Sequence, residues 1–133
     1  MTENILGIDY GTKRVGLAVL SSGATLAFPL VVLINNKSLI DQILRVINDR
    51  QITRIVIGES VDNKGVDNAL MADIRAFSAD LKNRLPEVVI DFEAEHYTSF
   101  QAERYQGKTS NTDAGAASII LQAWYDRQVQ QKK

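Results

Sequence analysis

Four carboxylates stand where a folded chain could gather them: Asp9, Glu59, Glu95 and Asp113. Asp9 closes the apolar run Ile5-Leu6-Gly7-Ile8, and Glu59 closes Ile55-Val56-Ile57-Gly58. Both mark points where a strand leaves the apolar layer, and binding crevices of open α/β sheets lie at strand carboxyl ends. Asp113 starts a stripe in which Ala117, Ile120, Leu121 and Trp124 follow at i+4, i+7, i+8 and i+11, so it shares the helix face turned to the sheet. Glu95 comes after a third apolar run, with Glu93 two residues before it and His96 beside it. Gathering ionised carboxylates is costly: two unit charges 4 Å apart repel by about 4 kcal/mol at an effective dielectric of 20. Two divalent ions about 3.5–4 Å apart offset this, one activating a water and the other stabilising the leaving oxygen. Magnesium, which keeps waters and binds through few carboxylates, suits such a set.

Each acid also has an ordinary reading. Asp9 suits the start of a turn before Gly11, and Glu59 and Glu95 suit loops. Asp113 in a first helical turn is favoured by the helix dipole by about 0.3–1 kcal/mol. A dipole acid is free to face water, however, and Asp113 faces inward. His96 reads as a surface residue rather than a ligand. Met71, Phe77 and Trp124 read as core, with no stacking platform for bases.

The elements that hold these residues follow from patterning. Ile5–Asp9 and Val15–Leu20 are apolar runs around a turn at Gly11-Thr12-Lys13, which predicts a hairpin with a buried first strand. A third strand is expected over 24–34, with Pro29 at an edge or a bulge. Asn36 or Ser38 caps a helix whose Leu39, Ile40, Ile43, Leu44 and Ile47 share one face. A fourth strand runs over 51–58, and a polar loop over 60–68 fits no calcium-loop spacing. A second helix carries Leu70, Ile74, Phe77, Leu81 and Leu85 and stops before Pro86. A fifth strand at Val88–Phe92, a short helix at 99–105 and a last helix at 112–128 complete the chain. The order β-β-β-α-β-α-β-α-α predicts one α/β domain over 1–133, with a mixed five-stranded sheet and helices on both faces.

Composition bounds the function. The chain has 133 residues, 45% of them hydrophobic and 23% charged, and a net charge of −1. That balance speaks against a strong sequence-independent nucleic-acid binder but not against a nuclease, whose acids lower the count and are neutralised by bound cations. With no cysteine and one histidine, disulfides, Cys-based zinc sites and a multi-histidine zinc site are excluded within one chain. No apolar run approaches the ~20 residues of a membrane span. No secretory signal is visible at Met1-Thr2-Glu3-Asn4, and a cytoplasmic location is expected.

The combination resembles the YqgF-type family of pre-16S rRNA nucleases, also described as Holliday-junction-resolvase-like, within the RNase H-like superfamily. The residues that carry the resemblance are Gly7 to Val19 (GIDYGTKRVGLAV), Ile55-Val56-Ile57-Gly58, Glu95-His96-Tyr97-Thr98-Ser99, and Asp113 with Ala116 to Gln122. Two departures stand out. Gly58-Glu59-Ser60 replaces the family's Gly-Leu-Pro, and Ala94-Glu95-His96 keeps only the glutamate of its Asp-Glu-Arg signature. Glu59 instead resembles the second catalytic acid of junction resolvases.

The resemblance implies an RNase H-like three-layer fold and a metal-dependent phosphodiesterase acting on structured RNA, at the 5′ end of pre-16S rRNA in ribosome biogenesis. Asp9, Glu59 and Asp113 would hold Mg2+ or Mn2+ as two ions, Glu95 would be a further ligand or substrate contact, and Lys13, Arg14 and Lys108 would touch phosphates. Partners would be RNA and the ribosomal particle, or a DNA junction, with the chain a monomer or a homodimer. A DNA-junction resolvase and a binding protein of the same fold without the chemistry are the alternatives. An actin-like ATPase also places Asp-x-Gly-Thr after a first strand, but this chain lacks a second phosphate-binding hairpin.

Overall fold

The computed structural model describes residues 3–59, 69–94 and 112–131. Its strands are β1 (Asn4–Tyr10), β2 (Arg14–Leu20), β3 (Phe28–Ile34), β4 (Ile52–Glu59) and β5 (Val89–Ala94), and its helices α1 (Leu39–Asp49), α2 (Ala69–Arg84) and α3 (Thr112–Gln131). The expected loop over 60–68 and helix over 99–105 lie outside the described residues, as do Glu95 and Lys108.

The sheet order is β3-β2-β1-β4-β5. β1 is central, antiparallel to β2 and parallel to β4, which in turn pairs in parallel with β5. That position explains why β1 is apolar on both faces: Leu6 and Ile8 face the helices α1 and α2, while Ile5 faces α3. Pro29 sits on the edge strand β3 beside a register shift opposite Leu17 and Ala18, so its missing N–H is tolerated for both of the expected reasons.

Two cores result from the alternation along the strands. On one face Leu17, Ile55 and Ile57 pack with Ile43 of α1 and Ile74 and Leu81 of α2. On the other, Ile5, Ala18, Leu20 and Val56 pack under Ala117, Ile120, Leu121 and Trp124 of α3. The stripe expected after Asp113 is therefore the buried one. A Cβ on Gly7 would stand 2.8 Å from the Leu121 Cβ and 3.0 Å from the Ala117 carbonyl oxygen, so α3 lies nearly on the β1 backbone. At the far end, Gln122 accepts from the Ala27 N–H and donates to the Thr25 carbonyl, tying α3 to the β2–β3 connection.

Helix α1 starts with Ser38 at its N-cap. The Ser38 side chain makes no capping hydrogen bond; instead the Asn36 carboxamide oxygen accepts from the Ser38 N–H. Asn35 closes the hairpin end by donating to the Gly11 carbonyl, and its own N–H bonds the Lys13 carbonyl. The turn that carries Lys13 is thereby fixed to the strand β3 exit.

Candidate metal and nucleic-acid site

The site is built around a glycine. Gly16 on β2 pairs with Asp9 on β1, which sets their Cα atoms about 5 Å apart across the antiparallel ladder. A Cβ on Gly16 would lie 2.0 Å from the Asp113 carbonyl oxygen and 2.7 Å from the Ala114 nitrogen. No side chain fits there, so the first turn of α3 rests on bare backbone. One buried residue thus has Asp9 beside it in the sheet and Asp113 directly over it.

Alternation places both acids on the same side. Ile5, Gly7 and Asp9 point to α3, as do Arg14, Gly16 and Ala18. Asp113 also receives Arg14: the guanidinium Nε donates to its Oδ2 at 3.0 Å, with the Arg14 side chain 64% exposed and that of Asp113 35%. Asp9, the Asp113 backbone and Arg14 thus meet at the same end of the molecule.

Glu59 goes elsewhere. Counting from Ile55 and Ile57, both in the core under α1 and α2, position 59 falls on that face, and Gly58 falls on the α3 face. Glu59 accordingly lines a groove with Met71, Arg75, Lys82, Ile90 and Phe92. The expectation that it joins Asp9 and Asp113 is corrected by this parity, with the sheet standing between them.

The acid in that row is Glu93. It pairs in register with Gly58 on the neighbouring strand, is buried at 6% exposure, and accepts from Arg127 of α3. Two residues down β5, Asp91 accepts from Arg54, which also bonds Glu3 and lies 5.3 Å from the Trp124 ring centroid. Burial alone would lower the Arg54 pKa, but the Asp91 hydrogen bond and the charges of Glu3 and Asp91 more than offset it and raise it.

Asp9 and Asp113 offer hard carboxylate oxygens, the donor type that Mg2+ and Mn2+ take. Among the described residues no three His, Cys, Asp or Glu side chains form a ready-made metal cluster. Two carboxylates with room for waters fit magnesium better than a closed all-protein cage. Among the described residues, too, no helix is long and apolar enough to cross a membrane.

The chain is 33% identical over 132 residues to "Putative pre-16S rRNA nuclease" of Sulfurihydrogenibium sp., covering 94% of this chain and 91% of that protein. It is 33% identical over 135 residues to the protein of the same name from Maridesulfovibrio salexigens, covering 92% and 98%. Among solved structures, Thermus thermophilus RuvC superimposes with a TM-score of 0.61 at 16% identity, covering 96% of each chain. The fowlpox virus Holliday junction resolvase superimposes with a TM-score of 0.54 at 11% identity, covering 93% of this chain and 99% of that one. The fold is thus the RNase H-like one of these resolvases. Residues 3–127 match the RuvX family, described as Holliday junction resolvase, and this chain belongs to it.

Proposed function

We propose that this chain is a metal-dependent phosphodiesterase that cleaves structured RNA at the 5′ end of pre-16S rRNA, working in the cytoplasm on RNA or on the ribosomal particle. The observation that carries the reading is the convergence at Gly16, where Asp9 and the first turn of α3 with Asp113 meet on one face. Asp9 and Asp113 would hold Mg2+ or Mn2+, with Glu95 beyond the described residues as a further ligand. A bound divalent cation supplies a water of lowered pKa and charge stabilisation for the leaving oxygen. Lys13, exposed on the hairpin turn, and Arg14 beside Asp113 stand where a phosphate backbone would approach, and Lys108 joins them in this reading. Glu59 is left out, because it serves the opposite face.

The test is cleavage of a labelled pre-rRNA fragment in Mg2+ or Mn2+. Wild type should cleave, and Asp9→Asn and Asp113→Asn should each lose at least about 100-fold, since loss of an outer partner of a metal ligand already costs 10–100-fold. Glu59→Gln should stay near wild type. No cleavage by wild type in either metal would overturn the proposal.

A second reading has its own support in the RuvX description and in the T. thermophilus RuvC structure solved in complex with a Holliday junction substrate. Turnover of a four-way DNA junction but not of the RNA fragment would favour it.

A further inference from the structure

Among the described residues at this site, Arg14 is the cation bonded to a carboxylate. It opens β2 on the face shared with Gly16, and its only polar partner among the described residues is Asp113, reached through Nε. Arginine carries five N–H donors in a fixed fork, and the contact through Nε sets where that fork is held, on the Asp113 carboxylate. The side chain is about two-thirds exposed, and an open ion pair of this kind is weak. A divalent cation on the Asp113 carboxylate would both take its partner and repel the guanidinium.

Resting on the reading of Asp113 as a metal ligand, we propose that Arg14 is a metal-gated phosphate contact. Without metal it is held on Asp113; when a divalent cation takes that carboxylate, Arg14 is released to a phosphate oxygen of the substrate strand. Guanidinium pairs bidentately with phosphate as it does with carboxylate, so the released fork can close on two phosphate oxygens. Metal and RNA then strengthen each other's binding through Arg14, and by linkage the coupling is the same in both directions.

The experiment has two arms, neither of which measures turnover. In the first, Mn2+ is titrated calorimetrically into RNA-free protein. Arg14→Gln removes the competitor and should bind Mn2+ about 2–5-fold more tightly, the span that an exposed pair sets, whereas Arg14→Lys should return toward wild type. An Arg14→Gln affinity equal to or below wild type overturns the gating. Absence of Mn2+ binding by wild type overturns the metal site and the gating together.

In the second arm, binding of the labelled pre-rRNA fragment is measured in EDTA. Asp113→Asn frees Arg14 and should bind RNA more tightly than Asp9→Asn, which removes an equal charge but leaves the pair intact. That excess should vanish in Arg14→Gln/Asp113→Asn. Equal gains for the two single variants, with wild type still binding Mn2+, would leave the site standing and sink the role of Arg14.

Discussion

At the start of α3, half-buried Asp113 meets Arg14, whose side chain is open to water; about three turns along, Trp124 lies beneath Arg54, which is shared between Glu3 and Asp91. Both places join a helix to the sheet through a guanidinium and carboxylates. At Arg54 the guanidinium is only 23% exposed, has two carboxylate partners, Glu3 just before β1 and Asp91 on β5, and rests near an aromatic ring. At Arg14 it has one partner among the described residues and abundant solvent. Charge that holds a structure together is surrounded on several sides, and charge that a ligand can claim is left with room. The contact that fixes α3 at its open end is therefore not the ion pair but the backbone seat on Gly16.

Gly16→Ala tests that distinction most severely. Its methyl would overlap the Asp113 carbonyl, and neither partner is a side-chain tip that can swing away. The first turn of α3 must lift, with a destabilisation of about 3 kcal/mol in urea unfolding, at the upper end of ordinary overpacking costs. A loss below about 1 kcal/mol would mean that the helix is not seated there.

Arg54→Ala comes next. It removes two ion pairs and the contact with Trp124, and leaves Glu3 and Asp91 facing each other across the vacated position. About 2 kcal/mol is expected, combining charged hydrogen bonds with a cation–π contribution. Arg14→Ala should cost at most about 1 kcal/mol, as surface pairs do. Similar losses for the two variants would erase the contrast between the ends of α3.

How far the sequence reveals this arrangement depends on where a pattern is visible. The stripe from Asp113 through Ala117, Leu121 and Trp124 is legible because a helix with one buried face spaces its apolar residues, and that alone aims Asp113 at the sheet. The parity of β4 is hidden. Ile55, Val56 and Ile57 are all fully buried, so a central strand covered on both faces shows no alternation from which to count, and a slip of one residue sends Glu59 to the wrong side. Glu93 looks like a loop acid because β5 runs two residues beyond its apolar segment. Pairs such as Arg14 with Asp113 or Arg127 with Glu93 join distant parts of the chain and follow no spacing rule. Gly16 did carry a signal: a lone glycine inside an apolar strand marks a close backbone approach.

The smallest effect concerns the charges at the open end. Asp9 and Asp113 place two negative charges around Gly16, with Arg14 the cation bonded to Asp113. Asp9→Asn removes one of the two at nearly constant shape, so the two proteins should respond differently to magnesium. A ligand that binds only the folded state stabilises it by RT ln(1 + [L]/Kd), and wild type, with both carboxylates, should bind it more tightly than Asp9→Asn. The melting temperature of wild type should therefore climb by about 1–3 °C more than that of Asp9→Asn as Mg2+ is added, followed by differential scanning fluorimetry across a Mg2+ series. Melting temperatures that stay parallel throughout the series would mean that Asp9 and Asp113 do not share a cation, and the open end of α3 would then be no more than a loosely paired counterpart of the Arg54 end.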